Sequence, residues 1–248
     1  MEMKHKQKHI LLRGSNQGFT MIELLVGMVV SLLALAAIYS TFLAQHRSYQ
    51  VQRETADMQQ NIRAAMYYMQ REIRMAGSNP YNSIPVFGIA AAGQNSITFT
   101  EDVRGPTAGT LDVQRSPDGD AGDPAENITY DLNGTDLRRT DNNVSPVPQV
   151  VAQNINALDF VYLDGNSAVI NFDASGFIPA ANLGQIRYIE ITIVARTGDQ
   201  LLYGTQNNKV YRNQQDDQIY VAPGDNFSRR RLSTLVNCRN LGLGDDIS

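Results

Sequence analysis

The sequence predicts an α+β protein: one long N-terminal helix, apolar all round in its first half and amphipathic in its second, packed on a C-terminal antiparallel β domain. Three observations predict it. From Met21 to Ala44 the only charged residue is Glu23. From Met28 to Ala76 the chain holds neither Pro nor Gly. Beyond Pro80, β-branched and aromatic residues come in short runs divided by Gly, Pro, Asn and Asp, the punctuation of strands and turns.

The first segment, residues 1–18, reads as a leader. Its basic residues are Lys4, Lys6, Lys8 and Arg13, against one acid, Glu2. The whole chain of 248 residues has a formal net charge of −4. Losing four basic residues and one acid lowers that by three, to −7. A remainder that acidic is a poor general binder of nucleic acid, so no nucleic acid is expected as a partner.

The apolar run Met21–Ala44 is about 24 residues, roughly 36 Å as a helix, enough to span a bilayer core. The basic flank before it would stay in the cytoplasm. Three readings fit such a run. One is a plain single-span anchor. A second is a secretory signal with Ala34-Leu35-Ala36 as its cleavage site, opposed by Glu23 at the start of the apolar stretch and by a helix pattern that continues through the supposed cut. The third rests on Glu23 itself. A carboxylate near hydrocarbon costs a few kcal/mol, so such a residue is ordinarily functional.

The helix pattern continues past the run. Met58, Ile62, Met66, Met69, Ile73 and Ala76 recur at spacings of four and three, one face of an α-helix. Arg53, Asp57, Arg63, Gln70, Arg71 and Arg74 fall on other faces. Gly77 followed by Asn79-Pro80 is a stop signal. The helical segment is therefore 19–77, with 21–44 as its transmembrane part and regular helix from about Thr20 to Ala76. The Met-rich stripe is read as packing against the globular domain rather than as a partner surface.

Residues 78–248 read as a β-rich globular domain on the periplasmic side. Asn127–Thr140 is a hairpin pattern with Asn133-Gly134 in the type I′ positions. Leu158–Phe172 suggests a second hairpin turning at Asp164-Gly165. Ile186–Arg196 alternates Ile189, Ile191 and Ile193 against Glu190, Thr192 and Arg196, as a strand with one buried face does. Ile97–Thr100 and Arg231–Cys238 are weaker strand candidates. "SPDGDAGDPAEN" and "TDNNVSPVPQ" read as loops, and no internal repeat is found.

Two scarcities narrow the chemistry. One cysteine, Cys238, permits no internal disulfide and no multi-Cys zinc site. Of three histidines, His5 and His9 lie in the leader, so a triad or His-metal centre would rest on His46 alone; His46 is read as an interfacial helix residue. Asp118, Asp120, Asp123 and Glu126 could supply oxygen ligands to calcium, but Gly122 falls where an EF-hand ligand is due, so the reading is an acidic turn and no metal. Asp216-Asp217 reads as a solvated loop. Arg229-Arg230-Arg231 could meet phosphate; pairing with neighbouring carboxylates or solvation of a strand edge is the preferred reading. Of Tyr67 and Tyr68, at least one is expected to pack under the β domain. No phosphate-cradling glycine loop appears. No cofactor and no catalytic residue are expected, and an anchored periplasmic enzyme would need a pocket of converging polar groups.

Gly18-Phe19-Thr20-Met21-Ile22-Glu23, followed by the apolar run, resembles the prepilin leader motif of type IV pilins. The resemblance implies a type IV pilin-like fold, cutting between Gly18 and Phe19 by the prepilin peptidase, N-methylation of Phe19 by the same processing enzyme, and Glu23 as the residue that directs assembly. Asn61–Gly77 and Arg229–Gly242 are similar to the corresponding parts of PilW-type minor pilins. The absence of a proline in the membrane half of the helix and of a C-terminal cysteine pair points away from a major pilin. The resemblance touches the first 80 residues and the last 20. It implies a structural subunit that primes or joins the pilus, with other minor pilins and the major pilin as partners. It also implies residence first in the bacterial inner membrane and then in the pilus. The alternative within the class is a type II secretion pseudopilin of the J-type; a tip adhesin would show an exposed aromatic or apolar patch on the β domain.

Overall fold

The structure, a computed structural model, describes residues 18–81, 88–103, 117–201 and 207–241. The leader before Gly18 lies outside the described residues. The chain divides into two compact units, 1–50 and 51–248. The α-helix α1 (Met21–Met75) contributes residues to both.

In the first unit, α1 buries almost nothing. Leu24, Val29, Leu33, Ile38 and Phe42 are all exposed. Three of its hydroxyls are nonetheless satisfied within the helix. Ser31 Oγ donates to the Gly27 carbonyl at 2.8 Å, and Ser40 Oγ and Thr41 Oγ1 both donate to that of Ala37, at 2.8 and 3.0 Å. Such back-bonding removes the donors that hydrocarbon could not satisfy. By length and composition α1 is able to cross a membrane.

In the second unit the expected stripe is the buried one. Met58, Ile62, Met66, Met69, Ile73 and Ala76 are all at or below 5% exposure, joined by Ala65. The helix stops at Gly77, whose φ of +80° is the left-handed value that a C-terminal glycine accepts without strain. Its N–H then donates to the Thr100 carbonyl at 2.9 Å, which ties the helix end to the sheet.

Ten strands follow. β1 (Ile89–Ala92), β2 (Ser96–Thr100), β3 (Asn127–Asn133), β4 (Asp136–Asp141) and β5 (Ser145–Ala152) form an antiparallel meander in chain order. β6 (Ile155–Leu163), β7 (Tyr188–Arg196) and β10 (Arg229–Asn237) form a second antiparallel sheet in the order β10-β7-β6, and β8 (Val210–Arg212) pairs with β9 (Gln218–Val221). A 3-10 turn, Ala180–Gln185, precedes β7. One core joins the α1 stripe to Ile97, Phe99, Ile128, Tyr130 and Leu137 of the first sheet and to Phe160, Tyr162, Ile189, Ile191 and Ile193 of the second.

Four expectations are corrected. Asn133 pairs with Asp136, so the β3–β4 turn is centred on Gly134-Thr135, one residue later than expected. Only Gly134, at φ +63°, has positive φ there, the sign pattern of a type II′ turn. The turn after β6 forms at Asp164, whose Oδ1 accepts from the N–H groups of Asn166 and Ala168. Its second arm is no strand, being held by the bridge of Leu163 to Val169 and a bond from Ile170 N–H to the Tyr162 carbonyl. "TDNNVSPVPQ" is largely strand: β4 runs to Asp141 and β5 starts at Ser145. Pro146 and Pro148 are tolerated because β5 is an edge. Finally, β7 is buried on both faces. Val194 packs with Ala157, Tyr211 and Ala222 in a second apolar cluster that includes the β8–β9 hairpin.

Candidate functional site

The N-terminal turn of α1 is built by two residues. Thr20 N–H and Thr20 Oγ1 both donate to Glu23 Oε2 at 2.8 Å, while Glu23 N–H donates back to Thr20 Oγ1 at 3.3 Å. This reciprocal arrangement is a capping box, which satisfies orphan N–H groups at a helix start. The pattern Thr-x-x-Glu was legible at Thr20-Met21-Ile22-Glu23 and the sequence reading passed over it. Only one carboxylate oxygen is used: among the described residues, Glu23 Oε1 has no partner. Phe19 is 89% exposed. A Cβ added at Gly18 would meet nothing within 4 Å, so the chain itself has no steric need for glycine there.

The other candidates are dispersed. His46 stacks on Phe42, with ring centres 6.2 Å apart, on the exposed part of α1. Tyr67 and Tyr68 are 62% and 51% exposed and meet edge to face at 6.1 Å. Neither packs under the β domain, because the buried stripe takes Met66 and Met69 on either side of them. Cys238 is buried, and burial pushes its thiol up to about 12, which leaves it an inert core residue.

The arginine triplet is split by β10. Arg229 is sequestered: its guanidinium grips Asp225 at 2.5 and 2.6 Å, donates to Asn156 Oδ1 at 2.7 Å, and stacks on Tyr220 and Phe227. Arg231 donates to the Arg212 carbonyl at 2.7 Å. Adjacent positions on a strand face opposite ways, so Arg230 and Arg231 present no common face. Asp216 and Asp217 lie in the β8–β9 turn. Asp216 is 3.8 Å from Arg212, and Asp217 N–H donates to Asn213 Oδ1 at 2.9 Å.

Of the four acids near position 120, the structure gathers three. One carboxylate oxygen from each of Asp118, Asp120 and Asp123 lies within 4.8 Å of the others. Glu126 is turned inward, fully buried, and accepts from Val103 N–H at 2.9 Å and Asp123 N–H at 3.1 Å.

A second polar centre had no signal in the sequence reading. Glu72 of α1 accepts from Tyr130 Oη at 2.6 Å and from Arg139 Nε at 2.9 and 3.1 Å. Close by is Glu101, 5% exposed, with Oε2 buried and unpartnered. Burial, then the charge of Glu72, raise the Glu101 carboxyl to about 8. Glu101 lines a cleft of about 610 Å³ with Tyr67, Arg71, Glu72 and Arg74.

Residues 13–39 match the family described as the prokaryotic N-terminal methylation motif. The match runs across Gly18, Phe19 and Glu23 into the exposed apolar part of α1, and it supports a pilin-type structural subunit held at the inner membrane by its N-terminal helix. The fold is similar to that of a type IV-like pilin from Thermus thermophilus, with a TM-score of 0.46 and 13% identity over 73% of this chain and 97% of the other. No curated protein matches the chain.

Proposed function

We propose that this protein is a minor pilin of the PilW type, a structural subunit that primes or joins type IV pilus assembly. The observation that carries the reading is the methylation motif placed on a helix start whose one acid sits ahead of an exposed apolar face. In this reading the prepilin peptidase cuts between Gly18 and Phe19, Phe19 is N-methylated, and the subunit waits in the inner membrane with residues 78–248 in the periplasm. Its partners are the major pilin and other minor pilins.

The capping box gives Glu23 two tasks at once. Oε2 closes the first turn of α1 onto Thr20. Oε1 is then the oxygen left to meet the Phe19 ammonium of a neighbouring subunit. In a medium of low dielectric such a pair offsets the burial cost of both charges, and removing one partner costs about 3–5 kcal/mol. The contact sets register as much as affinity.

The test is the N-terminal residue and mass of the mature protein. The expected chain begins at methylated Phe19. A mature chain starting near Ala37, as a secretory signal would produce, overturns the reading.

A further inference from the structure

The turn from Pro117 to Glu126 is held by bonds that spend no carboxylate oxygen of Asp123. Asp118 N–H and Gly119 N–H donate to the buried Asp102 carboxylate at 3.2 and 2.9 Å. Asn143 Nδ2 donates to the carbonyls of Ala121 and Asp123, both at 2.7 Å. Ala125, at φ +71°, donates its N–H to Asp141 Oδ2 at 2.7 Å. The left-handed Ala125 is costly and persists because its surroundings fix it. Gly122 lets the chain fold back: a Cβ there would stand 3.1 Å from Asp120 Oδ1.

The consequence is three carboxylates facing one point. Elsewhere acids meet arginines: Asp131 with Arg138, Glu72 with Arg139, Asp225 with Arg229. No such ion pair is made by Asp118, Asp120 or Asp123 among the described residues. Asp123 is decisive, because it is 9% exposed and its Oδ2 is buried with no partner. A buried, unpaired carboxylate oxygen beside two like charges is costly. Burial, then Asp118, Asp120 and Asp102, raise the Asp123 carboxyl, as expected where a positive charge is called for and only negative neighbours are supplied.

We infer that Asp118, Asp120 and Asp123 form a calcium site in which the inward Asp123 is the anchoring ligand. Oxygens bound to one calcium at 2.3–2.6 Å lie at most about 5 Å apart, and the three carboxylates meet that limit. Carboxylate ligands on an irregular turn, with both outer acids open to solvent, suit calcium's flexible coordination better than magnesium's strict octahedron. The spacing is not that of an EF-hand, since Gly122 and Asp123 occupy the fifth and sixth places from Asp118. The site is independent of how the N-terminus is processed.

The experiment uses the full chain in detergent, stripped with EDTA and titrated with calcium chloride by calorimetry, with the melting temperature followed in parallel. One calcium per chain is expected, and at a hundredfold excess over Kd a rise in Tm of roughly 5–10 °C. Asp123→Asn should abolish both signals. Asp120→Asn, at an exposed position whose new amide oxygen can still accept from Gly122 N–H, keeps the fold and should weaken Kd at least about tenfold, the effect of losing one charged contact. Asp199→Asn, outside the turn, should change neither. The inference is overturned if calcium gives no heat and no shift up to about 10 mM, near the weak end of extracellular sites. It is equally overturned if Asp120→Asn leaves both Kd and the shift unchanged, or if magnesium binds as tightly.

Discussion

The two ends of α1 use one helical period for opposite purposes. Between Met21 and Ala44 the apolar residues surround the helix, and all but the half-buried Leu43 stay exposed. Between Met58 and Ala76 they are confined to one stripe, and that stripe is buried in the core of the second unit. The comparison teaches that hydrophobic content alone does not say where a helix will find its partner. An all-round apolar segment has no preferred side and must be solvated by something outside the chain, lipid or other helices. A one-sided segment carries its own address. The Met58–Ala76 stripe is answered by Phe99, Tyr130, Phe160 and Ile191 of the same chain.

The largest effect that would break this comparison is at Glu23. Glu23→Ala should insert and be cut almost normally yet be missing from sheared filaments, in a strain whose only copy is the variant. Glu23→Gln can still close the capping box but has no charge, so it should fail in assembly as Ala does. Normal piliation by either variant would mean that the acid serves only to cap its own helix.

Next in size is a cut between the two halves. A fragment beginning at Gln45 retains the whole stripe and should be soluble and folded, whereas one beginning at Pro80 loses it and should aggregate. The reverse outcome, by size-exclusion chromatography and circular dichroism, would make the stripe a contact for another protein. At single residues the same asymmetry holds. Met69→Ala should cost about 2–5 kcal/mol of unfolding free energy as a core cavity, and Leu33→Ala should leave the melting of the β domain unchanged.

The stripe was legible because helical periodicity is local; much of the rest is not local. The β3–β4 turn moved by one residue because the register that places Leu132 opposite Leu137 outweighed the Asn-Gly preference of the turn. β5 was hidden by prolines that only an edge strand tolerates, and nothing near Ser145 says that it is an edge. The polar face of β7 looked solvent-facing because its cover, β8 and β9, consists of two strands of three and four residues with too little pattern to find. Glu72 was overlooked among the helix charges because its partners, Tyr130 and Arg139, stand 58 and 67 residues away. At the acidic turn, the sequence reading was an acidic turn without metal, and the structure gathers three of the four acids it singled out. Spacing could not show that Gly122 folds Asp123 back onto Asp118 and Asp120. The one signal both local and missed was the capping box at Thr20.

Glu101 sharpens the comparison from the other side, as a charge placed where the stripe meets the sheet. Its folded value of about 8 lies above the ordinary 4.5, so the folded chain binds more protons than the unfolded between those values. The stability it contributes is therefore complete below about pH 4.5 and is lost as pH rises toward 8. Glu101→Gln stays neutral throughout. It should match the parent near pH 4.5 and exceed it at pH 8 by on the order of 3 kcal/mol, read from denaturant midpoints at the two pH values. An equal effect at both would place the cause in packing rather than ionisation.

The smallest effect is expected on the face of α1 opposite the stripe. Tyr67 and Tyr68 lie between the buried Met66 and Met69, yet helical geometry turns them about 100° per residue away from the core. Their rings touch each other at 6.1 Å and leave more than half their surface in solvent. Removing an exposed ring forfeits little burial and opens no cavity, so Tyr67→Ser and Tyr68→Ser should each move unfolding free energy by no more than about 0.5 kcal/mol. Met66→Ser, one position before them, exchanges a buried thioether for a hydroxyl with no partner and should cost several times as much. A loss above about 1 kcal/mol for either tyrosine would mean that the second half of the helix is gripped on two faces. The contrast between its halves would then be one of degree.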